Sequence, residues 1–220
     1  TNIEFFKTES GYPVQNPWHL INWPYYLVWD RRQADFVNFF DGCDAIIEEV
    51  GGIWFSSSNE KMPIIPKTSF SVFDVTPHRA TRYILLGEGI EYYVPEIVNQ
   101  FLNDIQLVLK EKNISMLHKQ KRVTKLTHKK YIRNINYLSN KSNYVEIDPF
   151  FDAVQVILNV KACISMPFTS TALIAKSEGK PSIYYDPSGM VQKDDKGAHG
   201  IPIILGIDEL RIWVDSIVND

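Results

Sequence analysis

The feature that most constrains this chain is a repeated alternation of two patterns. Short runs rich in β-branched and aromatic residues are separated by longer stretches whose apolar residues fall at helical spacing. Parallel strands cannot be joined by a tight turn, so strands alternating with helices build a mainly parallel sheet with helical crossovers. Tyr25 to Trp29 reads as the first strand, and Arg31 to Phe40 as a helix closed by Gly42. Ser69 to Phe73 is a second strand, stopped by Asp74-Val75-Thr76-Pro77. Pro95 opens a helix, since proline suits the first helical turn, and Ile97, Val98, Phe101, Leu102, Ile105 and Leu109 keep its spacing. Further strands are expected at Ile114 to Leu117, Val145 to Ile147 and Ala162 to Ser165. Helices are expected over Tyr131 to Leu138, Phe151 to Leu158 and Ser170 to Ser177. Ser182 to Tyr185 reads as the last clear strand and Ile207 to Ile217 as the final helix.

The expected fold is therefore α/β, a Rossmann-like three-layer sandwich with a mainly parallel sheet. At 220 residues the chain is long enough for one such domain with a sizeable core and short for two. The domain is expected to run from residue 25 to 220. Residues 1–24 carry Phe5, Phe6, Tyr12, Trp18 and Trp23 among prolines, and read as an extension that either wraps the domain or packs against something outside this chain. Residues 51–68 read as a loop.

Composition narrows the partners. A formal net charge of −3 argues against non-specific nucleic-acid binding, which draws on a basic excess. The two cysteines, Cys43 and Cys163, are isolated, which suits a reducing cytoplasm and offers no zinc-type spacing. No apolar run approaches the roughly 18 residues of a membrane-spanning helix, and no signal peptide is visible. The expected location is the cytoplasm, including the inner face of its membrane. The chain opens on Thr1, which points to processing or to excision from a longer product.

In doubly wound folds, ligands sit beyond the carboxyl ends of the strands. Four segments occupy that position: Asp74–Arg82, His118–Arg122, Met166–Thr171 and Asp186–Gly189. The sharpest is Ser165-Met166-Pro167-Phe168-Thr169-Ser170-Thr171, where a strand ends, a proline turns the chain and three hydroxyl residues open a helix. Unpaired N–H groups and the positive end of the helix dipole favour phosphate there, and hydroxyls can add hydrogen bonds. Simple N-capping is the competing reading, since serine and threonine are preferred caps. His78 and Arg79 follow the second strand and could meet a phosphate, or could lie in a solvated loop. Lys119, Lys121 and Arg122 end another strand, within a stretch between Asn113 and Asn140 that has no acidic residue. That stretch is either a solvated face, a phosphate contact or a surface for anionic lipid headgroups. Asp186 and Ser188 could hold a sugar or ribose hydroxyl, yet Asp-Pro-Ser-Gly is also ordinary turn chemistry. His199 is a further candidate for ligand contact. No set of residues has recognisable metal-ligand spacing, so no metal and no cofactor are expected.

At Pro167-Phe168-Thr169-Ser170 the chain resembles the surface-polysaccharide biosynthesis proteins named for that motif. The resemblance extends through Ala172 to Lys176 and Gly179 to Pro187, and includes Phe73 to Pro77 and Ala198 to Pro202. It reaches from about Tyr25 to the C-terminus. More broadly, the chain looks like the C-terminal, donor-binding lobe of a two-lobed glycosyltransferase of the GT-B type. Related sugar-nucleotide epimerases place glycines and a glutamate pair at this element. Here Thr169-Ser170 and Leu173-Ile174 stand in those places, which counts against an epimerase. Bacterial sialyltransferases of this fold hold a CMP donor with a histidine-containing turn and a hydroxyl pair, to which His78 with Ser170 and Thr171 is similar.

The resemblance implies a bacterial enzyme of surface-polysaccharide assembly whose donor is a nucleotide-sugar, with a CMP-linked sugar as one candidate. Its donor phosphates would meet Thr169, Ser170, Thr171, His78, Arg79, Lys119 and Lys121. The glycan or lipid-linked acceptor, and the catalytic base, would belong to an N-terminal lobe outside this chain. The alternative is a non-catalytic subunit that binds a nucleotide or sugar phosphate.

Overall fold

The computed structural model describes residues 23–41, 45–51, 65–77, 94–121 and 126–219. Eight strands are found among them. β1 (Tyr25–Val28) and β2 (Ile46–Glu49) form a two-stranded parallel sheet. β3 (Ser69–Phe73), β4 (Ser115–Lys119), β5 (Tyr144–Ile147), β6 (Ala162–Ser165), β7 (Ser182–Asp186) and β8 (Ile203–Leu205) form a six-stranded parallel sheet in the order β5-β4-β3-β6-β7-β8. The helices are α1 (Arg31–Asp41), α2 (Pro95–Glu111), α3 (Lys129–Leu138), α4 (Ala153–Leu158), α5 (Ser170–Ser177) and α6 (Gly206–Asn219). The chain thus builds outward from β3 to β5, returns beside β3 as β6, and builds outward again to β8. This is the doubly wound Rossmann order, and its direction reverses between β3 and β6.

The three-layer α/β expectation holds, with two differences. The first strand does not join the main sheet but pairs with β2, a strand that the reading of the sequence had not marked. β8 adds a strand beyond Ser182 to Tyr185. It is only three residues long and is reached through a single 3₁₀ turn (Lys196–Ala198) in place of a crossover helix, so no helical period announces it.

Burial explains why β3 and β6 form. All five residues of β3 and all four of β6 are buried, as expected of parallel strands covered on both faces. On one face Phe70, Val72, Met116, Ile164 and Ile183 meet Phe101, Leu102 and Ile105 of α2, Tyr131 and Leu138 of α3, and Leu210 and Val214 of α6. On the other, Phe73, Leu117, Ile147 and Cys163 pack against Val156 and Ile157 of α4 and Ile174 and Ala175 of α5. Burial pushes the Cys163 thiol up to about 11, which leaves it an inert packing group. α2 is the longest helix of the core. Pro95 stands at its start, and its buried positions Val98, Phe101, Leu102, Ile105 and Leu109 repeat at three and four residues. Truncating a fully buried aromatic such as Phe101 to alanine costs about 3–5 kcal/mol in cores of this kind.

Candidate functional site

The reversal between β3 and β6 opens the crevice in which a doubly wound fold takes its ligand. Phe73 and Ser165, the last residues of the two strands, lie side by side in register. The Met166 amide donates to the Phe73 carbonyl at 2.9 Å, which carries the pairing one residue beyond β6. The chain then turns through Pro167 and Phe168. Phe168 has φ of 64°, a left-handed conformation that costs a non-glycine residue roughly 1–3 kcal/mol and persists only where surroundings enforce it. Packing supplies that enforcement: the Phe168 ring lies 5.9 Å from the ring of buried Tyr184. The Tyr184 hydroxyl donates to the Thr169 carbonyl at 2.9 Å.

This turn presents the N-terminus of α5 without a cap. Thr169 occupies the cap position, but its side chain makes no capping hydrogen bond. Its hydroxyl instead donates backward to the Met166 carbonyl at 2.8 Å. Thr171 Oγ1 lies 2.9 Å from Ser165 Oγ and 3.2 Å from Thr169 Oγ1. Because Thr169 gives its proton to Met166, the chain of hydroxyls runs from Ser165 through Thr171 to Thr169. Ser170 has no side-chain hydrogen-bond partner among the described residues. N-capping by these hydroxyls is therefore not what the structure shows. The first-turn N–H groups have no intrahelical acceptor by helix geometry, and among the described residues no side chain caps them.

The other sequence candidates separate clearly. His78, Arg79 and Arg122 lie outside the described residues. Lys119 is buried, and its Nζ donates to the Pro149 carbonyl at 2.8 Å. That carbonyl follows β5, whereas Thr169 follows β6 on the far side of β3, so the ammonium leans away from the helix start. Burial lowers its pKa, against the opposing pull of Asp152 and Asp148. Lys121 is exposed just past the end of β4.

Asp186 is buried and committed to its own turn. One carboxylate oxygen accepts from the Ser188 amide at 2.9 Å and the Ser188 hydroxyl at 2.6 Å, and the other accepts from the Val191 amide at 2.8 Å. The turn reading of Asp-Pro-Ser-Gly is the one realised, because buried carboxylate lone pairs are filled locally. His199 is likewise engaged elsewhere. Its carbonyl accepts from Lys176 Nζ at 3.2 Å, and Lys176 belongs to the last turn of α5. Its Nδ1 lies 2.5 Å from Asp30 Oδ2. His199 is thus anchored at the opposite end of α5 from Thr169.

One polar cluster was not anticipated as a unit. Asp74 follows β3 and is wholly buried, as is His118 of β4. The Tyr131 hydroxyl of α3 donates to Asp74 Oδ2 at 2.5 Å, and His118 Nε2 lies 3.2 Å from the same oxygen. His118 Nδ1 meets the Tyr144 hydroxyl of β5 at 2.7 Å. With its proton on Nε2, the imidazole accepts from Tyr144 and faces Asp74. Burial above all, then the Asp74 charge, holds the Tyr131 phenol well above its ordinary range. The only signal in the sequence was two polar residues at the ends of otherwise apolar strands. Nothing there showed that they would turn inward and meet.

The geometry can be set beside known proteins. A TarM variant from S. aureus, in complex with fondaparinux, alpha-GlcNAc-glycerol and UDP, matches with a TM-score of 0.50 at 14% identity, over 100% of this chain and 42% of that one. The MnaA–UDP structure from S. aureus matches at 0.44 and 12% identity, over 70% and 37%. The UDP-GlcNAc 2-epimerase from Methanocaldococcus jannaschii matches at 0.44 and 12%, over 71% and 39%. The chain thus spans about two fifths of the length of these structures. No curated protein matches the sequence. Likeness at such identity speaks for the fold alone. A family model described as polysaccharide biosynthesis PFTS motif protein matches residues 5–214, nearly the whole chain and both sides of the reversal, and on that match the chain belongs to the PFTS-motif family of polysaccharide biosynthesis proteins.

Proposed function

We propose that this chain is the donor-binding lobe of a glycosyltransferase, and that it holds the phosphate of a nucleotide-linked sugar at the N-terminus of α5. The observation that carries this reading is the uncapped helix start at the sheet's reversal point, with Ser170 unpartnered among the described residues and two more hydroxyls beside it. In transfer, the bond between the sugar's anomeric carbon and the phosphate oxygen breaks, and negative charge grows on the leaving phosphate. The first-turn N–H groups and the Ser170 hydroxyl would stabilise that charge without reorganising, while Thr169 and Thr171 hold the turn through their own hydrogen bonds. The acceptor hydroxyl would lose its proton to a base outside this chain.

His78 and Arg79 remain in the proposed site on the strength of the sequence, since they continue the segment that leaves β3. Lys121, exposed beyond β4, stays as a secondary contact for phosphate. Lys119 does not, because its ammonium is spent on Pro149. A UDP-linked sugar is the first donor to try, because the TarM structure holds UDP. A CMP-linked sugar is the second.

A thermal-shift series with CMP, UDP, GDP, TDP and their sugars tests the reading. One nucleotide should stabilise the chain by about 3–4 kcal/mol at 100 to 1,000 times its dissociation constant. The double variant Ser170→Ala/Thr171→Ala should keep its fold and lose most of that response. Absence of a shift with every nucleotide, or an unchanged shift in the double variant, would overturn it. Donor hydrolysis assayed alongside separates a transferase lobe from a subunit that binds nucleotide without turnover.

A further inference from the structure

The two sheets differ in completeness. β1 and β2 pair in parallel from Tyr25↔Ile46 to Val28↔Glu49. α1 covers one face of the pair, packing Ala34 and Val37 on Val28 beside Tyr26 and Ile47. Among the described residues nothing covers the other face: Tyr25 is 65% exposed and Leu27 63%, with Ile46 exposed beside Tyr25. Trp23, just before the strand, is also exposed, but its ring lies 5.8 Å from that of Tyr26, on the side that α1 covers. Tyr25 and Leu27 alternate with buried or half-buried Tyr26 and Val28, and the register sets Ile46 beside Tyr25 and Glu48 beside Leu27, so this is one continuous face of three apolar residues and a carboxylate.

Such a face is physically incomplete. A right-handed strand–helix–strand crossover lays its helix on one side only, whereas parallel sheets occur almost solely with both faces covered. A sheet of two strands is marginal by itself and leaves edge N–H and C=O groups unpaired. The main sheet does not supply the cover. Val28, Ala34 and Val37 form an apolar cluster of their own, separate from the clusters of the six-stranded sheet. A polar contact between the two parts is the Asp30–His199 pair. The fold match to TarM runs over the whole chain, β1 and β2 included, and leaves more than half of that protein outside it.

We infer that residues 23–51 are the end unit of a second parallel sheet, whose remaining strands and helices are carried by the same gene product as the acceptor lobe. The Tyr25, Leu27 and Ile46 face is the seat of that lobe's crossover helices, a mainly apolar surface with Glu48 beside Leu27. The boundary between lobes then falls within 52–64, not at residue 25, and Asp30–His199 becomes a contact between lobes. The name acceptor lobe rests on the proposed function, whereas the incompleteness of the sheet does not.

Cysteine labelling tests this, read against the parent chain. In Leu27→Cys, the thiol should react quickly with a maleimide when the protein is the 220-residue chain. In the product expressed from its own locus with an affinity tag, it should react roughly tenfold or more slowly, as a site shielded except during local opening. Leu107→Cys, on the exposed side of α2, should label alike in both. Equal rapid labelling of Leu27→Cys in the two proteins overturns the inference. So does protection in the 220-residue chain that grows with concentration alongside a dimer in light scattering, which would make the occupant a second copy. Should Leu27→Cys not fold, Tyr25→Lys serves instead: it should leave the melting temperature of the 220-residue chain unchanged and lower that of the native product, and equal effects overturn the inference. None of these readouts depends on nucleotide, so failure of donor binding and failure of this inference remain distinct.

Discussion

Strands β3 and β6 end side by side, and they treat their polar residues in opposite ways. Past Phe73 the chain turns a carboxylate inward, where Asp74 meets Tyr131 and His118 from α3 and β4. Past Ser165 the hydroxyls of Thr169 and Thr171 bond to one another and to Met166, and the helix they open is left uncapped. The difference teaches that a polar residue at a strand end is a ligand group only if no neighbouring element supplies its partners first. β3 is flanked by β4 and overlain by α3, which carry a histidine and a tyrosine to it. The start of α5 receives the Tyr184 hydroxyl at a carbonyl and the Ser165 hydroxyl at Thr171, and among the described residues no side chain caps its N–H groups.

The largest expected effect comes from breaking the inward side. Asp74→Ala leaves the buried Tyr131 hydroxyl without its acceptor and takes the carboxylate from beside His118, and each buried polar group left unsatisfied costs about 1–3 kcal/mol. Urea unfolding would measure it, and a loss under 1 kcal/mol would mean that the two strand ends are less different than the geometry shows. Tyr131→Phe deletes one donor and leaves the carboxylate in place, with an expected loss of about 1–3 kcal/mol in the same assay.

Lys119 sharpens the comparison through pH. Its folded pKa is lowered by burial below the ordinary 10.5, so the folded chain sheds this proton at a lower pH than the unfolded chain does. Between the two values the unfolded chain binds more protons, and stability rises with pH. Titrated toward pH 10.5, the parent should gain stability relative to Lys119→Met. A difference that stays flat across alkaline pH would show that the ammonium is better solvated than its contact with Pro149 implies.

The smallest expected effect is on the open side. Ser170→Ala should change stability by no more than about 0.5 kcal/mol, as for a half-buried hydroxyl without side-chain partners among the described residues. The same variant should weaken any stabilisation by nucleotide. A marked loss of stability without ligand would make Ser170 a structural group and remove the contrast.

Much of the fold could be read from the sequence. β3, β6 and α5 have the bounds expected from their residues, because continuous burial and helical period are local signals. The uncapped turn at Thr169 was half legible: three hydroxyls in a row marked the place, but not that the Thr169 hydroxyl would bond back to the Met166 carbonyl instead of capping the helix. The Asp74 cluster was not legible, since Asp74, His118, Tyr131 and Tyr144 come from four elements. Nor were the commitments of Asp186 to its own turn and of His199 to Asp30. In each case a polar residue had several possible partners, and which one it met depended on how distant parts of the chain were brought together.

By itself, then, the amino-acid order determined the class of fold, the run of strands and helices, and the position of the hydroxyl-rich helix start. These follow from periodicity and turn chemistry over a few neighbouring residues. The tertiary structure alone decided the strand order that sets Asp74 beside Met166, the division into two sheets, and which polar groups face inward. Register and burial arise between elements far apart in the chain, where a buried polar group takes whichever partner the packing delivers.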